Sequence, residues 1–164
     1  MTVPQARVYP CGVTKNDPRW ADLADVVLVI AREIGFRGYT DERAVSLTQS
    51  EGMVMRHLLG GDGTATPGAI AAATGLQRTN LSTVLRGLED KGLIERHACP
   101  DDRRGVTVAA TDRGRRNYTL VRREWGAAVA DAAGGDASPD AALALLTAVR
   151  DGLVRDRRGL GRVS

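Results

Sequence analysis

The chain has 164 residues, 43% of them hydrophobic and 26% charged, ordinary values for a soluble globular protein of one domain or one and a half. Two cysteines, Cys11 and Cys99, exclude a disulfide framework, and neither stands at zinc-ligand spacing from His57 or His97, so no metal or cofactor is expected. The apolar run 26–30 is too short to cross a bilayer and residues 1–11 lack the basic start and long apolar core of a signal peptide, which points to a cytoplasmic protein with no membrane partner.

Residues 1–16 show little periodicity and read as an N-terminal arm. Asp17-Pro18 then opens a helix with proline at its first position. Trp20, Leu23, Val26, Val27, Ile30 and Ile34 keep helical spacing, predicting a helix to about Gly35 whose apolar face is broader than one partner helix needs. A loop follows from Arg37 to Val45. Thr48-Gln49-Ser50-Glu51 fits a capping box, in which the hydroxyl and the carboxylate each satisfy a free backbone N–H. The helix it opens is predicted over 49–59, burying Met55, Leu58 and Leu59, and Gly60-Gly61-Asp62-Gly63 ends it.

Thr66-Pro67 starts a short helix with Ile70 and Ala71 to Ala73 inward, and Gly75 closes it. In the next helix Leu81, Val84, Leu85 and Leu88 form one buried stripe, while Gln77, Arg78, Thr79, Asn80, Ser82, Thr83 and Arg86 make a polar opposite face. Helix, tight glycine-containing turn and helix make a helix-turn-helix pattern. Gly92 stops the second helix. Leu93 to Arg96 and Val106 to Val108 then read as two short strands joined by Cys99-Pro100-Asp101-Asp102-Arg103-Arg104-Gly105, a basic-tipped hairpin, so the unit is a winged helix.

Thr111-Asp112 caps a long helix running through Tyr118, Val121, Trp125, Ala128 and Val129 to Ala133. Gly134-Gly135-Asp136 interrupts it. Ser138-Pro139-Asp140 begins a last helix with Ala142, Leu145, Leu146, Val149 and Leu153 in one stripe, and Arg155 to Ser164 reads as a basic, glycine-rich tail. The expected fold is thus mainly α with a small β-hairpin wing. The winged helix-turn-helix occupies 46–111, the helical dimerisation region 17–45 and 112–157, and a flexible tail 158–164. One apolar helix at each end cannot bury its whole stripe against so small a centre, which favours a homodimer with interleaved terminal helices.

Between Gln77 and Arg116 stand nine basic and six acidic residues, which accounts for the whole formal charge of +3. This excess coincides with the polar helix face and the hairpin, pointing to an anionic polymer as partner. The face offers donors, acceptors and cations, with no nucleophile beside a base and no paired carboxylates, so an enzyme is not expected. A winged helix used for protein contact is the rival reading.

Three stretches, LTQSEGMVMRHL, TPGAIAAATGLQRTNLSTVLRGLEDKGLIERH and PDDRRGVTVAATDRG, resemble the MarR family of winged-helix transcription regulators over about 20–153. The most specific marker is Asp-x-Arg at Asp102 and Arg104, then a strand, then Thr-x-x-Gly at Thr111 and Gly114. The resemblance implies a homodimeric regulator, a repressor more often than an activator, on the double-stranded DNA of a pseudo-palindromic operator. The helix 77–91 would lie in the major groove and the wing 99–105 would reach the adjacent minor groove through Arg104.

Arginine pairs with guanine in bidentate fashion and asparagine with adenine, which suits Arg78, Arg86 and Asn80, while the small hydroxyls of Thr79, Ser82 and Thr83 allow close approach. Asp102 would hold Arg104 extended, with Arg103 beside it, and Thr66 is a helix cap first and a phosphate contact second. On an isolated face Arg78 and Arg86 would be solubilising charges, and Asp102 a turn former. Relatives sense small aromatic acids or oxidants. A small aromatic or acidic effector is accordingly expected in a cleft drawing on Trp20, Met53, Arg56, His57 and Trp125, with Cys11 as the residue of an alternative redox sensor and Cys99 structural. Three departures stand out. Gln77 replaces the usual hydroxyl cap, Ala110 a usual leucine, and Gly52 a usual bulky residue, leaving the cleft larger or filled from the first helix.

Overall fold

The computed structural model describes residues 16–99, 102–134 and 137–160, with backbone alone at 99, 102–104 and 158–160. The chain divides after Arg37 into two units, each described by itself. In the first, helix α1 spans Arg19–Phe36. Pro18 is its N-cap and not its first residue, so the helix begins one residue later than the sequence suggests, and the Asp17 carboxylate accepts the Arg19 N–H at 3.0 Å. The same carboxylate meets the Arg19 guanidinium at 2.6 Å, and these hydrogen bonds lower its pKa to about 2. No α1 residue is buried; Leu28 and Phe36 are 68% and 77% exposed.

The second unit carries helices α2 (Gln49–Leu59), α3 (Pro67–Thr74), α4 (Arg78–Asp90), α5 (Asp112–Ala133) and α6 (Asp140–Leu160). Strands β1 (Thr64–Ala65), β2 (Ile94–Cys99) and β3 (Asp102–Ala110) form an antiparallel sheet in the order β1-β3-β2. The fold is therefore mainly helical with a β-hairpin wing. The hairpin strands are longer than the sequence suggests, because β2 and β3 pair from Ile94↔Ala110 to Ala98↔Val106 whatever the side chains, and Cys99↔Asp102 follows an irregularity. β1, with Thr64 opposite Ala109 and Ala65 opposite Val108, was not expected at all.

Local signals explain the helix starts. Thr48 and Glu51 complete the capping box of α2. Thr66 Oγ1 accepts from Ala69 N at 3.2 Å and Thr111 Oγ1 from Gly114 N at 2.9 Å. Gln77 gives α4 no side-chain cap, so the substitution noted above leaves that helix start without one. Gly75 ends α3 at φ 75°, a left-handed conformation that costs glycine least.

The core gathers Val54, Met55 and Leu58 of α2, Ile70 of α3, Leu81, Leu85 and Leu88 of α4, Leu93, Ile94 and Val108 of the hairpin, and Tyr118 of α5. Val84 and Leu59 pack against it half-buried. Asn117, itself buried, holds α5 to the segment before α2: its Oδ1 accepts from Val45 N at 2.7 Å and its Nδ2 donates to Val45 O at 3.0 Å.

Thr111 and Gly114 lock the hairpin root. The Thr111 hydroxyl donates to Gly92 O at 2.8 Å, its N–H to Leu93 O at 3.1 Å, and a Cβ on Gly114 would run into that Leu93 carbonyl. The Thr-x-x-Gly step is thus a packing requirement. Helix α6 continues to Leu160, where the sequence suggested a tail, since the arginines after Val154 are good helix formers and no proline interrupts the run. Its Arg157 donates to Ala72 O and Ala73 O at 3.2 and 2.6 Å, filling carbonyls at the end of α3. Among the described residues no helix is long and apolar enough to cross a membrane.

Candidate nucleic-acid interface and basic cleft

Burial of Leu81, Leu85 and Leu88 fixes which side of α4 faces out. Arg78, Thr79, Asn80, Ser82, Thr83 and Arg86 are all exposed, and they share that side. Ser82 Oγ donates to Arg78 O at 3.0 Å and Thr83 Oγ1 to Thr79 O at 3.4 Å, which leaves their oxygens as outward acceptors. Among the described residues no carboxylate pairs with Arg78 or Arg86. The arrangement presents two cations, an amide and three hydroxyls on one rigid helix, a set suited to base edges and phosphates.

Other members of the basic cluster serve the fold. Lys91 lies 2.6 Å from the buried Glu51 and Arg96 lies 3.2 Å from Glu89. Thr66 is exposed at the start of α3, its hydroxyl accepting as a cap. Asp102, Arg103 and Arg104 are placed on β3 by their backbone, and their side chains lie outside the described residues, as does that of Cys99. Cys11 is likewise outside them. No group of three His, Cys, Asp or Glu side chains among the described residues could hold a metal ion.

Between α2, α5 and α6 lies an open cleft of about 870 Å³. Its walls carry Arg56 of α2, Arg115, Arg122 and Arg123 of α5 and Arg150 of α6, together with Tyr118, Trp125 and Leu143. Of the residues singled out in the sequence, Arg56 and Trp125 line it; the half-buried Met53 and His57 do not. Trp20 belongs to the first unit, where it is 39% exposed. The arginines of α5 were missed, although Arg115, Tyr118, Thr119, Arg122 and Trp125 recur at the three- and four-residue steps of one helix face.

Trp125 packs edge-on to Tyr118, ring centroids 6.4 Å apart at 87°. A Cβ on Gly52 would sit 3.1 Å from Trp125 Cη2, so α5 takes the room left by that glycine. Burial raises the pKa of the Tyr118 phenol, against the opposing charges of Arg56 and Arg122. Below the cleft Asp41 pairs with Arg43 at 2.8 Å and Arg123 at 3.1 Å, and Glu124 accepts from both N and Oγ1 of Thr40 at 2.9 and 2.8 Å. These contacts hold both carboxyls below their ordinary range, for Asp41 chiefly through the Arg43 hydrogen bond and for Glu124 through the Thr40 N–H.

Known proteins share this architecture. The sequence model of the MarR family matches residues 45–105. An uncharacterised helix-turn-helix transcriptional regulator of Mycobacterium leprae is 32% identical over 114 residues, covering 67% of this chain and 76% of that one. Among solved structures, the MarR family regulator Sco3205 of Streptomyces coelicolor in complex with DNA superposes with a TM-score of 0.66 at 18% identity, covering 88% of this chain and 90% of that one. BpsR of Bordetella bronchiseptica, whose DNA binding is regulated by 6-hydroxynicotinic acid, gives 0.61 at 20% identity, covering 81% and 97%.

Proposed function

The chain belongs to the MarR family of winged-helix transcription regulators, and from that premise we propose that it works in the cytoplasm as a homodimeric repressor on a pseudo-palindromic operator. Region 46–111 is the reader, and 17–45 with 112–157 the dimerisation region. The observation that carries the reading is the outward face of α4, whose Arg78, Thr79, Asn80, Ser82, Thr83 and Arg86 are exposed over a buried leucine stripe. Arg78 and Asn80 read base edges in the major groove, and Arg104, braced by Asp102 beside Arg103, enters the minor groove. Thr66 contacts a phosphate.

Exposed apolar faces support the second copy. Leu143 and Leu153 of α6 are 64% and 66% exposed, with Leu145, Leu146 and Val149 on the same helix, and α1 exposes Val26, Leu28 and Ile30. A monomer gains nothing from such faces. A small-molecule effector in the basic cleft would act through different affinities for two spacings of the recognition helices.

Binding to the DNA flanking the protein's own gene, titrated over salt, tests the reading. Arg78→Ala and Arg104→Ala are each expected to weaken the specific complex by about 1–3 kcal/mol. Specific binding that survives both changes with its salt dependence intact would falsify it. A dimer protects two half-sites about one helical turn apart, centre to centre.

A further inference from the structure

Helix α6 meets the rest of its unit along one row of side chains. Thr147 and Val154 are half-buried, Arg150 stands in the wall of the basic cleft, and Arg157 reaches the end of α3. These four follow one another at steps of three, four and three residues, one side of a helix. Leu145, Val149 and Leu153 lie exposed outside that row. Among the described residues the two hydrogen bonds of Arg157 are the only ones that join α6 to another element. Its Nη2 donates one to Ala72 O at 3.2 Å and one to Ala73 O at 2.6 Å. Those carbonyls belong to the last turn of α3, which has no basic residue of its own there. The Gly75 N–H serves Ala71 O at 2.8 Å and the Thr74 hydroxyl is committed to Ile70 O at 2.7 Å, so the next two carbonyls depend on a donor 84 residues further along the chain. Across the turn, α4 starts without a side-chain cap at Gln77 and without an acidic residue in its first turn. A Cβ on Gly75 would run into the Arg157 guanidinium, so the left-handed glycine also leaves room for it.

We propose that Arg157 is a positioning residue of the reader: it latches α6 onto the turn between α3 and α4 and so fixes the angle at which α4 presents its outward face. The latch is argued from geometry alone; its consequence for DNA rests on the regulator reading. Two residues, Leu76 and Gln77, separate Gly75 from Arg78, so a loosened turn displaces Arg78, Thr79 and Asn80 before the rest of the helix. Leu81, Leu85 and Leu88 hold α4 in the core whatever the turn does, so the latch governs orientation and not folding. A guanidinium nitrogen carries two hydrogens, one for each carbonyl, and the cation meets the negative end of the α3 dipole. Lysine keeps the charge on a more mobile ammonium and holds such a pair less firmly. With Leu145, Val149 and Leu153 free for the second copy, one rigid helix meets the partner on one side and the turn before the reading helix on the other.

Full-length Arg157→Gln and Arg157→Lys test this through two measurements: residue-resolved amide exchange of the free protein, and affinity for the duplex flanking its own gene, titrated over salt. In Arg157→Gln the amides of Gly75 and Leu76 are expected to exchange roughly three- to tenfold faster, with those of Gly52 and Thr111 unchanged. Duplex affinity is expected to fall by about three- to thirtyfold at an unaltered slope against salt, because orientation is lost and no phosphate contact is. Arg157→Lys is expected to recover part of both. Unchanged exchange at the turn overturns the latch. Exchange that rises equally at Gly52 and Thr111 marks a loss of overall stability and overturns the positioning role, as does full duplex affinity beside a loosened turn. A salt slope flattened by about one makes Arg157 a phosphate contact instead. A wild-type protein that binds no duplex specifically removes the regulator reading, while exchange at Gly75 and Leu76 still decides the latch, so the two fail separately.

Discussion

The Lys91 ammonium stands 2.6 Å from Oε2 of Glu51 and donates to the Ser46 carbonyl at 2.9 Å, joining the end of α4 to the first turn of α2. The same Glu51 oxygen accepts the Thr48 N–H at 2.7 Å, so one buried carboxylate serves both as helix cap and as ion partner. Gly87 makes room for it: a Cβ there would lie 3.0 Å from Glu51 Oε1.

Removing the cation tests this tie. Lys91→Ala leaves a carboxylate 5% exposed without its charge partner, and the folded state is expected to lose about 2–4 kcal/mol, toward the lower end because Lys91 keeps some contact with water. Urea unfolding followed by circular dichroism gives the number, and an unchanged midpoint would refute the role.

Two glycines of α5 should behave oppositely. Gly114→Ala drives a Cβ into the Leu93 carbonyl and is expected to cost more than about 2 kcal/mol. Gly126 has nothing within 4 Å of such a Cβ, so Gly126→Ala gains the helix propensity of alanine, roughly 0.5–1 kcal/mol. Thermal midpoints of the two variants should move in opposite directions.

Gly52→Leu is expected to expel Trp125 from its seat against α2, given the 3.1 Å approach of Cη2 to a bare Cβ. In a Trp20→Phe background the remaining tryptophan emission should shift to the red. Emission that stays at the wild-type wavelength would show that Trp125 does not depend on the missing side chain.

Acid should loosen the segment before α2. The Asp41 carboxyl is held below its ordinary pKa by its hydrogen bonds to Arg43, with Arg123 of α5 adding to the effect. A group whose folded pKa is depressed contributes stability that is complete above its unfolded value, about 3.9, and that is lost as pH falls through the folded one. The stability gap between wild type and Asp41→Asn should therefore be constant above about pH 5 and close below about pH 4. A gap that widens in acid would reverse the assignment.

What the sequence made legible was local. Thr48, Glu51, Thr66 and Thr111 announce their helices because a cap is settled within three residues, and the leucine stripe of α4 is set by helical period alone. The unexpected parts depend on distant partners. Thr64 and Ala65 become a strand only because Ala109 and Val108 come alongside. Lys91 reads as one more surface cation until Glu51, 40 residues earlier, is brought to it. The α5 wall of the cleft was present in the spacing of Arg115, Tyr118, Arg122 and Trp125, but its meaning required Arg56 and Arg150 opposite.

The two-residue strand β1 sets how far the wing can change. Beside Ala109 and Val108 the hairpin is one edge of a three-stranded sheet, and its root is further held by Ala110 N donating to Gly63 O at 2.9 Å. Past Arg96 and Val108 it is a two-stranded ribbon outside the core. A two-stranded ribbon contributes little to stability on its own. Mutational drift, insertion or deletion in that outer part is therefore nearly free of folding cost. On the function proposed above, a new minor-groove preference would then come from lengthening or rewriting the tip while the helices that position it stay as they are, with the hairpin the evolvable half of recognition and α4 the constrained half.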